Sequence, residues 1–134
     1  MSNPTLFSLT ESAMSAQLVR MNAATSNLAN AGSVSTTKEE AYRPIRAVFQ
    51  TALDEASGVS TVSSTQLVRS NANPIERYDP ANALANEDGN VFEAPIDESA
   101  EMIEIMESAR QYQNMVQALQ TAKQLMLETL RSKS

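Results

Sequence analysis

The last third of the chain carries a long stripe of apolar residues. From Met102 to Leu130 they recur at alternating spacings of three and four, with one polar interruption. This is the 3.5-residue period of coiled-coil helices. The stripe consists of Met102, Ile105, Ala109, Tyr112, Val116, Leu119, Lys123, Met126 and Leu130. A second apolar row widens this face: Ile103, Met106, Ala118, Ala122 and Leu125. We therefore predict a helix from about Asp97 to Arg131 that packs against more than one partner.

The charges of this segment agree with the direction of the predicted helix. Acidic residues crowd its start between Asp97 and Glu107, whereas Lys123, Arg131 and Lys133 lie toward its end, so both ends complement the helix dipole. Asp97 or Ser99 is suited to cap the first turn. Lys123 either fixes register within a helix bundle or packs its stem and extends its amine to solvent, and the second interpretation is favoured.

The N-terminal segment has a weaker form of the same period. Four apolar residues recur every seven positions: Phe7, Met14, Met21 and Leu28. The only charges between positions 1 and 37 are Glu11 and Arg20, although a solvent-facing helix normally carries charges on its outer side. A surface of small and amide side chains suits close packing against neighbouring helices. The alternative is a poorly soluble helix of weak propensity.

The middle of the chain differs in composition from the two ends and contains most of the prolines and glycines. Two segments rich in β-branched residues, 42–53 and 59–68, flank a turn-like sequence at 54–58 and predict a hairpin. Residues 73–95 contain three prolines and a run of Asn and Asp, so we expect a loop or extended connector there.

These patterns together predict a mainly α fold. Two long terminal helices would form an antiparallel, coiled-coil-like layer, with a small β-hairpin and extended loop inserted between them. The expected divisions are an N-terminal assembly helix at 1–32, a small β/loop insert at 33–96 and a C-terminal coiled-coil helix at 97–134.

Composition excludes most kinds of chemistry. The 134 residues include no Cys, His or Trp, so thiolate nucleophiles, Cys- or His-ligated metals and the commonest general base are ruled out. The formal net charge of −6 argues against binding to nucleic-acid phosphates. The stretch at 84–89 resembles a calcium loop, but Leu84 and Pro95 stand where the first and twelfth ligands belong. We expect no enzyme activity, no cofactor and no bound metal.

Targeting signals are also missing from the sequence. The first twelve residues have neither a basic region nor an unbroken apolar run, so no cleaved leader is expected. No segment has the roughly 18 apolar residues of a membrane span. The sequence therefore predicts a soluble protein, made in the cytosol and without direct membrane insertion.

Three segments of the chain, one near each end and one in the middle, resemble those of a known family. Ser26 to Ala31 reads SNLANA and closes the N-terminal helix, where Asn27, Asn30 and Gly32 are suited to ending it. The segment 13–31 that contains this motif resembles the N-terminal signature of flagellar rod and hook proteins. The stretch 102–130, with its ARQYQN sequence, resembles the closing helix of that family, and YDPANALANEDGNV at 78–91 resembles a loop of its proximal rod members.

The resemblance implies a structural role. Members of this family are subunits of the flagellar rod, the drive shaft of the basal body that crosses the periplasm. They leave the cytosol by type III export without a cleaved signal peptide. Their terminal helices order on assembly and pair with those of neighbouring subunits. The expected partners are copies of the chain itself, other rod proteins, the export apparatus, and ring and adaptor proteins of the basal body.

The residues expected to form the assembly interface lie on the two terminal segments. They are Phe7, Met14, Met21, Asn27, Leu28, Asn30, Met102, Ile105, Ala109, Tyr112, Val116, Leu119, Met126 and Leu130. The alternative function is a cytosolic helical adaptor or export chaperone that binds partner helices through the same stripes. Stable terminal helices in the isolated chain would favour that alternative.

Overall fold

Two helices and five strands make up the computed structural model, which describes residues 5–55 and 58–133. In chain order they are α1 (Leu6–Ala29), β1 (Val34–Ser35), β2 (Ile45–Asp54), β3 (Val59–Arg69), β4 (Ile75–Tyr78), β5 (Asn90–Glu93) and α2 (Glu98–Ser132). Within the described residues, neither helix is long and apolar enough to cross a membrane.

Local hydrogen bonds define where the helices begin and end. Thr5 caps α1 in a reciprocal capping box with Ser8. The helix ends at an Asn30 cap and is followed by Gly32 at φ +79°, a conformation that favours glycine. Asp97 caps α2, because its carboxylate accepts hydrogen bonds from the first turn of backbone N–H groups. The predicted C-terminal helix is confirmed, and of the two candidate caps, Asp97 and Ser99, Asp97 is the one that caps it.

The two helices pack against each other in antiparallel directions. Asn27 near the end of α1 contacts Glu101 at the start of α2, whereas Phe7 lines a groove with Leu119. Apart from Asn27 and Glu101, the side chains buried along the helices are small, with Ala16, Ala23 and Ala24 on α1 and Ser108 on α2. Small residues let neighbouring elements approach closely, which explains the sparsely charged, alanine-rich surface of α1.

The second helix is considerably longer than the first. At about 1.5 Å per residue, the 35 residues of α2 span roughly 52 Å and the 24 residues of α1 roughly 36 Å. Because α1 begins opposite Leu119, the last turns of α2 extend beyond it. All residues from 123 to 133 are accordingly exposed.

The hairpin of β2 and β3 packs along α1. Its register runs from Ile45 opposite Arg69 to Asp54 opposite Val59, with an irregularity at Gln50/Thr51. Both strands contact α1, so this helix has α2 on one side and the hairpin on another. The predicted hairpin is therefore confirmed, whereas part of its turn lies outside the described residues.

A second sheet corrects the expected fold. Strands β1, β5 and β4 form an antiparallel sheet in that order, and Val91 and Phe92 of β5 are buried. The prediction of a mainly α chain with a small hairpin insert is wrong, because five strands make up 23% of the chain. The prolines and the Asn/Asp run of 73–95 predicted only a loop or connector there. The three prolines lie outside β4 and β5, the two four-residue strands that pair within this segment.

Candidate assembly interface

An apolar groove runs between the N-terminal half of α1 and the middle of α2. Phe7, Met14 and Leu18 line it from α1, and Tyr112 and Leu119 line it from α2. The seven-residue spacing of Phe7 and Met14 and of Tyr112 and Leu119 brings each pair to one face of its helix. The groove thus gathers side chains from both stripes into one surface.

A polar junction joins the other end of the helix pair to the hairpin. Asn27 is completely buried, and its side-chain amide bonds both backbone groups of Ile45: its Oδ1 accepts from the N–H at 2.8 Å, and its Nδ2 donates to the carbonyl at 2.9 Å. The same Oδ1 accepts from the hydroxyl of Tyr42 at 3.0 Å, and Nδ2 also donates to a carboxylate oxygen of Glu101 at 3.2 Å. One side chain of α1 therefore holds the base of β2 and the start of α2.

Glu101 is the buried charge of this junction. Its side chain is 1% exposed, and the guanidinium of Arg46 donates to both carboxylate oxygens at 2.5 and 3.0 Å. This forked geometry is the strong form of a carboxylate–arginine pair. Glu101 raises the pKa of Arg46 through the hydrogen bonds, so the guanidinium stays charged at neutral pH. The pair links the first strand of the hairpin directly to α2.

A second forked pair lies one turn farther along α2. Arg20 of α1 donates to the two carboxylate oxygens of Glu104 at 2.8 and 3.0 Å. The hydrogen bond from Arg20 lowers the pKa of Glu104, and the same bond raises the pKa of Arg20. Successive turns of α2 are thus fixed to the hairpin by Arg46 and to α1 by Arg20.

We expect Arg46→Met to destabilise the chain by about 2–3 kcal/mol, because Glu101 then keeps a buried carboxylate without its cation. Adding Glu101→Gln removes that charge while keeping an oxygen and an amide, so the double variant should recover most of the loss. Urea unfolding of the full chain, followed by circular dichroism, measures both values. If the double variant were less stable than Arg46→Met, the buried charge would not be the cause.

The Arg20–Glu104 pair predicts a dependence of stability on acid. The folded state lowers the pKa of Glu104 below its usual value of about 4.5, so the pair stabilises the fold fully above that pH and progressively less as the pH falls toward the lowered value. The stability difference between the native chain and Glu104→Gln should therefore shrink on acidification. Urea unfolding between pH 7 and pH 3 tests this, and a constant difference would contradict it.

The structure separates the predicted interface residues into two groups. Those partly or wholly covered within the chain are Phe7, Met14, Met21, Asn27, Leu28, Asn30, Ile105, Ala109, Tyr112, Val116 and Leu119. Exposed ones are Met102 at the start of α2 and Met126 and Leu130 near its end. Asn30 differs from Asn27, since its side chain donates only to the Ser26 carbonyl of its own helix. Contact with another subunit stays a prediction for all of them.

Sequence reasoning missed the charged partners in the junction. From the sequence, the helix dipole is a sufficient reason for the acidic run at the start of α2, yet Glu101 and Glu104 each bind an arginine. Arg20 carried a signal, because it is one of two charges in the first 37 residues. The partner Arg46 had no comparable signal. In the described parts of the chain no cluster of acidic side chains is arranged to hold a metal ion.

Comparison with known proteins identifies the family. The chain is similar to the flagellar basal-body rod protein FlgC of Salmonella typhimurium, with 39% identity over 127 residues that cover 93% of both chains. Identity to the FlgC proteins of Escherichia coli O6:H1 and Yersinia enterocolitica is 37% and 36% over 125 residues, again 93% of each chain. No family model matches the sequence. These similarities confirm the resemblance of both termini and the connector, and the chain belongs to the FlgC family of flagellar basal-body rod proteins.

Proposed function

We propose that this rod protein assembles with copies of itself and with other rod proteins through the apolar surface of the α1–α2 pair. Membership of the family makes the chain a structural subunit of the flagellar basal-body rod and not an enzyme. Assembly with other components of the basal body follows from that membership, whereas the surfaces and individual partners belong to the proposal.

The observation that carries the proposal is the apolar surface that the helix pair leaves uncovered. The groove between Phe7 and Leu119 is open, and α2 continues for several turns past the start of α1 with three leucines and Met126 exposed. Contiguous apolar surface of this kind on a soluble domain marks an interaction site. A rod subunit has neighbours that would cover it.

The proposal extends to the route and to the remaining partners. The export apparatus would pass the chain to the growing rod, and ring and adaptor proteins of the basal body would contact the finished rod. The junction at Asn27 supports the proposal, since its polar contacts hold the hairpin and the helix pair together. The apolar stripes are then available to contact neighbouring subunits.

Deletion of the gene tests the proposed function. We expect a non-motile strain whose basal bodies, viewed by electron microscopy, contain rings but no rod. Plasmid-borne native protein should restore rods and swimming, and a chain lacking residues 123–134 should not. Normal rods in the deletion strain would contradict the function, and full rescue by the shortened chain would contradict the role of the end of α2.

A further inference from the structure

The end of α2 carries an apolar patch that no residue of the described ranges 5–55 and 58–133 covers. We define the tail patch as Lys123, Met126, Leu127 and Leu130, which share one face of the helix by their spacing of three, four and seven. Met126 is 48% exposed, Leu127 49% and Leu130 60%. By helical periodicity the patch continues the stripe of Tyr112 and Leu119 that faces α1, but it lies beyond the start of α1, where no described helix packs against it.

The start of α2 carries a second exposed apolar patch. We define the start patch as Met102, Ile103 and Met106, which are 53%, 64% and 68% exposed. Ile103 and Met106 line a shallow groove together with Glu107 and Arg110. Glu98 and Glu107 flank the start patch on either side of the helix.

Charge makes the two patches complementary. Residues 123–133 contain three basic side chains and one acidic one, whereas residues 97–107 contain five acidic side chains and no basic one. Arg46, Arg20 and Arg110 pair with Glu101, Glu104 and Glu107, so the acidity that remains around the start patch comes from Asp97 and Glu98. A basic apolar surface and an acidic apolar surface on the same helix suit each other electrostatically.

We propose that the tail patch of one subunit packs against the start patch of a second copy of this chain, a contact that rests on the proposed function and names its partner. The two α2 helices run parallel and are staggered by about 24 residues, or roughly 36 Å. This stagger brings Leu127 against Ile103 and Leu130 against Met106. It also sets Lys123 beside the acidic first turn at Glu98.

The positions of the patches determine what kind of assembly results. They lie at opposite ends of α2 and, at 100° per residue, roughly 120° apart around its axis. One straight neighbouring helix does not reach both, so a closed two-fold pair through these surfaces is excluded. Each subunit uses its tail patch on one neighbour and its start patch on another. A contact between two different surfaces that does not close produces an open, helical array.

Disulfide cross-linking tests the contact cleanly, because the native chain has no cysteine. The variant Leu127→Cys/Ile103→Cys is expressed in the deletion strain, and its basal bodies are isolated and treated with a mild oxidant. We expect a ladder of chains linked to one another that collapses on reduction. The matched control is Gln117→Cys/Ile103→Cys, whose first cysteine is also exposed on α2 but lies outside the tail patch, and it should give no ladder.

A charge reversal supplies a second measurement. Adding Lys123→Glu to the double-cysteine chain should lower the cross-linking yield at least about threefold at low ionic strength, and high salt should reduce that difference because it screens the charges. If the first cysteine pair blocks assembly, Leu130→Cys/Met106→Cys repeats the test one turn farther along α2.

The possible outcomes separate this inference from the proposed function. Motile cells whose rods yield no ladder, only dimers, or links to a different rod protein would overturn the homotypic contact while leaving the assembly function intact. A ladder that contains only this chain supports the contact. A ladder formed equally by the Gln117→Cys control would also overturn it, since the links would then be non-specific.

Discussion

Cells that carry Leu119→Asp in place of the native protein are expected to be non-motile and to lack rods. Leu119 lines the apolar groove with Phe7 and Met14 at the point where α1 begins. If a neighbouring subunit covers the groove, a carboxylate at this position loses its hydration, which costs free energy. If the carboxylate stays hydrated, the neighbour cannot cover the groove. Both outcomes oppose assembly. Val116→Asp, one turn earlier on the same stripe, should have the same effect.

The control for this substitution is available two residues away. Gln117→Asp adds the same charge to the same helix at an exposed position, so it should leave swimming close to normal. Soft-agar motility, basal-body microscopy and cell fractionation together measure swimming, assembly and export. We expect export of Leu119→Asp to remain largely intact. Normal swimming by that variant would contradict the role of the groove.

Asn27→Asp should be the most destabilising single change in the junction, with a loss of about 3–5 kcal/mol in the free energy of unfolding. The substitution keeps the shape of the side chain but replaces the Nδ2 donor by an oxygen. The carbonyl of Ile45 then loses its donor, and a second carboxylate lies beside the buried carboxylate of Glu101. The two negative charges would lie side by side at buried positions, because Asn27 is 0% exposed and Glu101 1%.

The same motif contains a matched control. Asn30→Asp makes the same chemical change three residues later, but Asn30 lies at the end of α1 and loses only its bond to the Ser26 carbonyl. We expect a loss of about 1 kcal/mol there. Urea unfolding of the full chains gives both values. Equal losses in the two variants would show that the burial of Asn27 beside Glu101 has no special effect.

Sequence alone predicts the helices well because their signals are local and redundant. The stripe from Met102 to Leu130, the Asp97 cap and the charge gradient all indicate the same helix, and α2 forms as expected. The β2–β3 hairpin is predicted for a similar reason, since its strands are rich in β-branched residues and adjacent in sequence. For these elements, neighbouring residues carry enough information.

The second sheet and the junction escape prediction because both depend on contacts that are distant in sequence. Val34 of β1 pairs with Glu93 of β5, fifty-nine positions away. The two residues of β1 and the four of β5 are too few for an alternation of apolar and polar residues to distinguish them from the flanking loops. Asn27 has the sequence signature of a helix-ending residue. Its bonds to Ile45 and Glu101 appear only after the hairpin and α2 have packed on α1.

The two arginine forks have a mechanical consequence for a protein that belongs to a rotating structure. A planar guanidinium that binds both oxygens of a carboxylate resists twisting as well as separation. Because the forks hold Glu101 and Glu104 on consecutive turns and attach them to different elements, α2 cannot roll about its own axis without breaking at least one of them. Torque applied to the sheet-bearing end of the subunit would therefore enter α2 through its first turns, where Glu101 and Glu104 are held.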